Sequence, residues 1–443
     1  MTSPSEQPSL TRQLVRHARA KEATSDDLAM AALFVLDAVA NTLGGRASDQ
    51  GRKLLRWAGN GPTPPTSPFD TGAHALLMGA LTHILETDDL HRASVVHPGC
   101  VVVPAAWPVA LREGIGGPAF LRAVLEGFEV TTRVGMGVGP AHYRIWHNTA
   151  TCGPYGSAMA VATLLGLDED ATVHALGNAG SQSSGFWEFL ETGAMTKHLH
   201  AGHAAQAGVQ SADLAALGFT GPPHILEGDK GFYKAACPDA DISRVMSSPD
   251  DPWQLVLTSM KPWPSCRHTH PAIDASLELS QRLHHAGADE LHSVTIETYQ
   301  AAADVCDRPH AASEYEAKFS LQHCVATALH DGAVTLTSFD DAARVKARRL
   351  ASGIAVKVME PYASAYPRDW GSAVEIVMTD GTVHREERTC AKGDPEAALT
   401  PPEVVEKAIG LMEFGGVAAP KKLAEAILAL PMADALPTLP LWS

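Results

Sequence analysis

At 443 residues the chain is long enough for two domains, or for one large domain carrying an insertion. It is 45% hydrophobic and 19% charged, as ordinary globular proteins are, and a net charge of −16 without a basic run argues against nucleic acid or anionic membrane as a partner. An anionic ligand would therefore have to be met by locally placed Lys, Arg and His.

No apolar stretch is read as membrane-spanning, and the N-terminal MTSPSEQPSLTRQ lacks the basic-then-apolar order of a secretory signal. Seven single cysteines without a CxxC pair suggest reduced thiols and a cytoplasmic enzyme. Thr24 and Asp27 are placed as a capping pair ahead of LAMAALFVLDAVANTLGG, which Gly44 and Gly45 close. This run is apolar nearly all round, so it is expected to be a central buried helix. A proline-rich loop at 61–68 precedes a helix near 72–86, and further helices are predicted at about 99–112, 117–137, 152–165, 170–179 and 196–216.

The pattern changes after Trp263. Residues 294–298, 354–358 and 374–378 alternate as half-buried strands do, with helical stretches at about 313–331 and 340–350 between them. Asp380-Gly381 then predicts a hairpin through a type I′ turn into 382–385. Helices return at about 402–413 and 420–430, each behind proline. The expected fold is mainly α: a helical domain over 1–262, completed by 398–443, and a smaller α+β domain over 263–397.

Four polar stretches are candidates for chemistry. Residues 193–208, GAMTKHLHAGHAAQAG, set Lys197, His198, His200 and His203 at the start of a helix whose small residues permit close packing. A cation at that helix mouth suits an anionic ligand, although a packed helix with a solvated lysine reads the same way. Glu86-Thr-Asp-Asp-Leu-His91, followed by His97-Pro98, puts three carboxylates beside two histidines, a composition able to fix an imidazole tautomer. A solvated helix end has that composition too, and no HExxH or comparable spacing speaks for a metal.

The third stretch, Tyr143 to Gly156, crowds Tyr, Arg, His147, Asn and Thr149 ahead of a helix, as acid–base machinery or as an ordinary loop with an aromatic anchor. The fourth, KPWPSCRHTHP, brings Lys261, Arg267, His268 and His270 to the change of pattern, where a ligand clamp and a rigid linker both fit. Lys318-Phe-Ser-Leu-Gln-His323 is not distinctive by itself. There is no GxSxG elbow, P-loop or GxGxxG after a strand, which argues against a serine hydrolase, an NTPase or a nucleotide-dependent dehydrogenase.

In this order the stretches resemble the MmgE/PrpD family, which includes 2-methylcitrate dehydratase, cis-aconitate decarboxylase and iminodisuccinate epimerase. The similarity runs through LFVLDAVANTLGG, LETDDLH, VVHPG, WHNTATCGPYG, LGNAGSQSSGFWEF, GAMTKHLHAGHAAQAG, GFTGPPHILEGDKGF, KPWPSCRHTHPAIDA and KFSLQHCVA. The resemblance implies a large all-helical domain with a smaller α+β lid, C-terminal helices returning to the helical domain, a homodimer, and a site needing neither metal nor organic cofactor. It carries the family's active-site positions onto His97, His147, Lys197 and Lys261, and its acidic stretch onto Glu86 and Asp89, with Glu86 where Asp is more usual.

On this basis His97, Tyr143, His147 and Lys197 are the expected catalytic residues, with Lys197 in binding or proton transfer. Lys261 and Arg267 are expected on substrate carboxylates, with Glu86, Asp89, Thr149, His268 and His323 as further binding positions. His323 stands where the decarboxylase motif has tyrosine, and Tyr143 paired with Lys197 looks more like the epimerase branch. The implied activity is proton movement α to a carboxylate in a small di- or tricarboxylate, by dehydration or epimerisation. The alternatives are a cis-aconitate-type decarboxylase, a non-catalytic carboxylate-binding protein on the same fold, and a metal-dependent lyase.

Overall fold

The computed structural model describes residues 8–59, 65–283 and 291–441, so the loop expected at 61–68 lies partly outside the described residues. The chain divides into two units, one of residues 1–84, 88–258 and 400–443, the other of 85–87 and 259–399.

The first unit is helical. After α1 (Leu10–Ala20), a helix not among those expected, α2 (Ser25–Gly45) opens on the expected capping box of Thr24 and Asp27. Then come α3 (Asp49–Ala58), α4 (Pro68–His83), α5 (Gly99–Glu113), α6 (Gly117–Met136) and the one-turn α7 (Pro140–Tyr143). Next are α8 (Asn148–Leu164), α9 (Glu169–Gly180), the one-turn α10 (Phe189–Thr192), α11 (Thr196–Ala216) and α12 (Phe232–Ala236).

By length and hydropathy α2 would be able to cross a membrane, which corrects the expectation that no stretch reaches that length. Its apolar surface is spent on α4, α5 and α6 and on the C-terminal helices of residues 401–428, and all of it from Ala31 to Gly45 is buried. The small residues of α11 do what their size predicts. A Cβ on Gly202 would lie 2.4 Å from the Leu76 carbonyl oxygen of α4, and one on Gly208 would lie 2.2 Å from Ser157 Cβ of α8. Both helices thus approach α11 at backbone distance.

In the second unit, α13 (His270–Arg282) leads to β1 (Leu291–Thr298), followed by α14 (Gln300–Cys306) and α15 (Glu314–Lys318). Then come α16 (Leu321–Asp331), α17 (Asp341–Ala351), β2 (Ile354–Val358), the one-turn α18 (Tyr362–Ala365), β3 (Ser372–Met378) and β4 (Val383–Arg388). The helix expected over 313–331 is two helices, because Ser320 caps α16 through the His323 amide.

The sheet order is β2-β1-β3-β4, with β1 parallel to β2 and antiparallel to β3. Val294, Ile296, Val374 and Ile376 are buried as their alternation predicts, but on β2 only Ile354 is, since β2 is an edge strand. The hairpin is not type I′. Met378 pairs with Thr382 across a three-residue loop in which Gly381 has φ +88° and Asp380 does not turn positive, the arrangement of a type I turn with a glycine bulge.

The chain returns to the first unit with α19 (Pro401–Phe414) and α20 (Pro420–Leu428). Lys407 of α19, half-buried, reaches the buried Asp37 carboxylate of α2 at 2.5 Å.

Candidate active site

The first unit gathers four imidazoles, a carboxylate and a lysine. α4 ends at His83, and the chain from Asp88 to Gly99 forms a tight loop closed by the His91 amide on the Val96 carbonyl at 2.8 Å. Val95 sits in this loop at φ +52°, a strained conformation for a β-branched residue that the surrounding packing must hold.

The loop places His97. Its Nδ1 donates to the Asp89 carbonyl oxygen at 2.5 Å, and its amide donates to Thr149 Oγ1 at 3.1 Å. With Nδ1 held by a carbonyl, Nε2 is the nitrogen of His97 that exchanges protons when the ring is neutral. Asp89 turns its carboxylate to the Gly99 amide at the mouth of α5, and its carboxyl is pushed well above the usual range by burial, then by Asp88 and Asp37. Its contacts make it a helix-terminus anchor.

The Asp88 carboxylate oxygen Oδ2 lies 2.6 Å from His83 Nδ1 and 3.3 Å from His97 Nδ1. The sequence set His91 beside the acidic run, yet His91 turns to Ser94 Oγ at 2.9 Å, and burial pushes its pKa down to about 4. The partner of the carboxylate is His83.

His147 stands at the start of α8, its amide on the Gly185 carbonyl at 3.0 Å. Gly185 is required here: its φ is +112°, and a Cβ would come within 2.5 Å of Ala150 Cβ and 3.1 Å of His200 Nδ1. His147 stacks on His83 at 5.5 Å and packs on Trp187 at 5.0 Å, and Tyr143, half-buried, meets Trp187 edge-on at 5.4 Å. His147 Nδ1 lies 3.3 Å from His200 Nδ1 of α11, so one hydrogen serves the two nitrogens.

Burial holds the pKa of His147 well below the ordinary value, helped by His83, His200, Lys197 and His97. His200 is pushed down to about 4 by burial and then by His83 and Lys197. Both rings are therefore neutral at pH 7. Lys197 is buried in the first turn of α11, where the helix dipole opposes a cation and favours an anion beside it. Its position three residues before His200 puts both on one face, a signal that the sequence does carry.

The second unit holds the remaining candidates. Lys261 Nζ lies 3.2 Å from the Glu86 carbonyl oxygen and 3.5 Å from its carboxylate, all buried, and Glu86 has φ +59°. Arg267 forms a buried ion pair with Asp394 and also donates to His270 Nδ1 at 2.8 Å and the Lys392 carbonyl at 3.2 Å. His268 bonds to the Tyr299 hydroxyl at 2.7 Å and stacks on Trp370 at 4.6 Å, with burial and then Arg267 pushing it down to about 3. His323 Nε2 donates to the Ser338 carbonyl at 2.8 Å, and burial lowers its pKa. Arg267, His268 and His323 are thus engaged in the framework of their own unit.

Among the described residues, His83, Asp88 and His97 form a trio whose ligand atoms lie within 4.8 Å of one another. The 2.6 Å between His83 and Asp88 is a hydrogen-bond distance, shorter than the roughly 3.4 Å between two ligands held at about 2.1 Å around a tetrahedral ion. The trio as built is a hydrogen-bonded network. Cys100 beside it is raised well above the thiol range, first by burial and then by Asp88 and Asp89, which leaves it inert.

Residues 12–245 match the MmgE/PrpD N-terminal domain and 263–430 the MmgE/PrpD C-terminal domain. The cis-aconitate decarboxylase-like protein oryM of Aspergillus oryzae is 29% identical over 240 residues, 50% of this chain and 49% of that protein. A cis-aconitate decarboxylase of Aspergillus terreus is 25% identical over 337 residues, 70% of this chain and 68% of the relative. The mitochondrial 2-methylcitrate dehydratase of Yarrowia lipolytica is 24% identical over 347 residues, 73% and 66% of the two chains. The chain thus spans about half the length of the first of these relatives and about two thirds of the other two.

Proposed function

Because the chain belongs to the MmgE/PrpD family, we propose that it is an enzyme that moves a proton α to a carboxylate in a small di- or tricarboxylate. The observation that carries this reading is the buried cluster of His97 and His147 beside Lys197, two proton carriers next to one cation. Its relatives are named as decarboxylases and a dehydratase, so a lyase is the broad class.

In this reading Lys197 takes a substrate carboxylate and stabilises the charge that develops as the α-carbon loses its proton. His147, kept neutral, accepts that proton, and the electron pair passes into the carboxylate. His97 acts through Nε2, and Tyr143 is the further acid. If a β-hydroxyl is present, the pair expels it and the acid protonates it to water. If none is present, the carbon is reprotonated from the opposite face, which is epimerisation. Loss of a carboxylate as CO₂, with the pair protonated on carbon, is the second reading, supported by the relatives' names. Within the second unit, Lys261 is proposed to take a carboxylate in exchange with Glu86, while Arg267, His268 and His323 serve as framework.

Proton NMR in D₂O with a panel of hydroxy-, amino- and imino-substituted di- and tricarboxylates tests the proposal. Loss of an α-proton signal with the skeleton intact means epimerisation, and new vinyl signals without CO₂ mean dehydration. Vinyl or methylene signals with CO₂ released mean decarboxylation. Silence across the panel, with calorimetric binding retained, overturns the enzyme reading in favour of a carboxylate-binding protein.

A further inference from the structure

His83 belongs to none of the residues that the sequence singles out, yet it is the common neighbour of the two proton carriers. Its ring is fully buried at the end of α4, edge-on to His97 at 4.8 Å and nearly parallel to His147 at 5.5 Å and 15°. The 2.6 Å contact to Asp88 is short, as charge-assisted hydrogen bonds are, and the same oxygen also faces His97. The Nε2 atoms of His83 and His147 are both buried without a hydrogen-bond partner among the described residues.

We propose that His83 is a positioning residue: clamped by Asp88, it holds the His97 and His147 rings in register and shapes the surroundings in which they exchange protons. The inference rests on the reading of His97 and His147 as proton carriers, but its test needs no turnover.

Around His147 the charged and titratable groups are His83 on α4, His97 ahead of α5, and Lys197 and His200 on α11. Asp88 faces His83 and His97, with Asp89 and Cys100 behind it. A proton on His83 repels one arriving on His147 or His200, in the direction in which both are shifted. Asp88 draws a proton toward His97. The two partners therefore push their neighbours in opposite directions; admitted water raises the proton affinity of every buried imidazole, so the lowering of His97 in Asp88→Asn is the arm that no loosening of the site can imitate.

The experiment is an NMR pH titration of the full-length protein with ¹³Cε1-labelled histidine, assigned with His97→Gln and His147→Gln. His83→Gln keeps a donor for Asp88 but removes the ring that lowers the proton affinity of His147, and it should raise the pH at which His147 protonates by about one unit. Asp88→Asn should lower the pH at which His97 protonates by a similar amount. A His147 titration unmoved in His83→Gln overturns the proposal, as does a His97 titration unmoved or raised in Asp88→Asn. Should His83→Gln fail to fold, the His147 titration in Asp88→Asn decides: cutting the clamp on His83 should move it, and an unmoved His147 overturns the proposal. A silent substrate panel with both shifts present would remove the enzyme reading and leave this one standing.

Discussion

The carboxylate of Asp89 receives the amide of Gly99 on both of its oxygens, at 2.9 and 3.0 Å. The carbonyl of the same residue holds His97, so Asp89 ties the start of α5 to the orientation of a proposed catalytic ring. A Cβ on Gly99 would stand 2.8 Å from that carboxylate. Gly99→Ala should displace the carboxylate and cost about 2–3 kcal/mol of stability, seen as a lower midpoint in urea unfolding. The His97 resonance should move with it.

Lys197→Ala and His147→Ala should each lower turnover by about 10²–10⁴-fold while leaving far-UV circular dichroism unchanged. Full activity in either variant would remove that residue from the site.

Glu129 of α6 is buried with His17 at 3.0 Å, Arg133 at 2.6 Å and the Gln254 amide at 2.9 Å. Burial pushes its carboxyl up, but His17, Arg133 and the amide outweigh it and hold the pKa at about 2, against 4.5 for the free group. A depressed acid stabilises the fold at pH above its unfolded value, and that stability is lost as pH falls from about 4.5 toward 2. The loss is about 3 kcal/mol. Unfolding midpoints measured across this range should fall for the natural chain and stay flatter for Glu129→Gln.

Lys407→Ala should remove the cation from the buried Asp37 carboxylate, which keeps its bond from Asn41 Nδ2 at 3.3 Å, and cost about 1–3 kcal/mol. Adding Asp37→Asn should recover part of this, a coupling that a double-mutant cycle in urea measures.

Much of this protein is determined by neighbours in sequence. The Thr24–Asp27 capping box, the apolar run of α2, the inward residues of β1 and the small face of α11 are all set by contacts within a few residues, so periodicity and cap chemistry reveal them. The ordered polar stretches likewise carried the family, and on that resemblance His97, His147 and Lys197 stand as site candidates. The sequence does not decide which histidine meets which carboxylate. His91 lies nearer the acidic run and turns to Ser94, while His83, five residues ahead of Asp88 at the end of α4, takes its carboxylate. Arg267 reads as a ligand for a substrate carboxylate until the fold brings Asp394 to it. Helix packing sets these pairings, and burial sets the proton affinities that follow from them. Neither leaves a period in the chain: the first two pairings follow from the path of the loop after α4, and the Arg267–Asp394 pair from segments far apart in sequence.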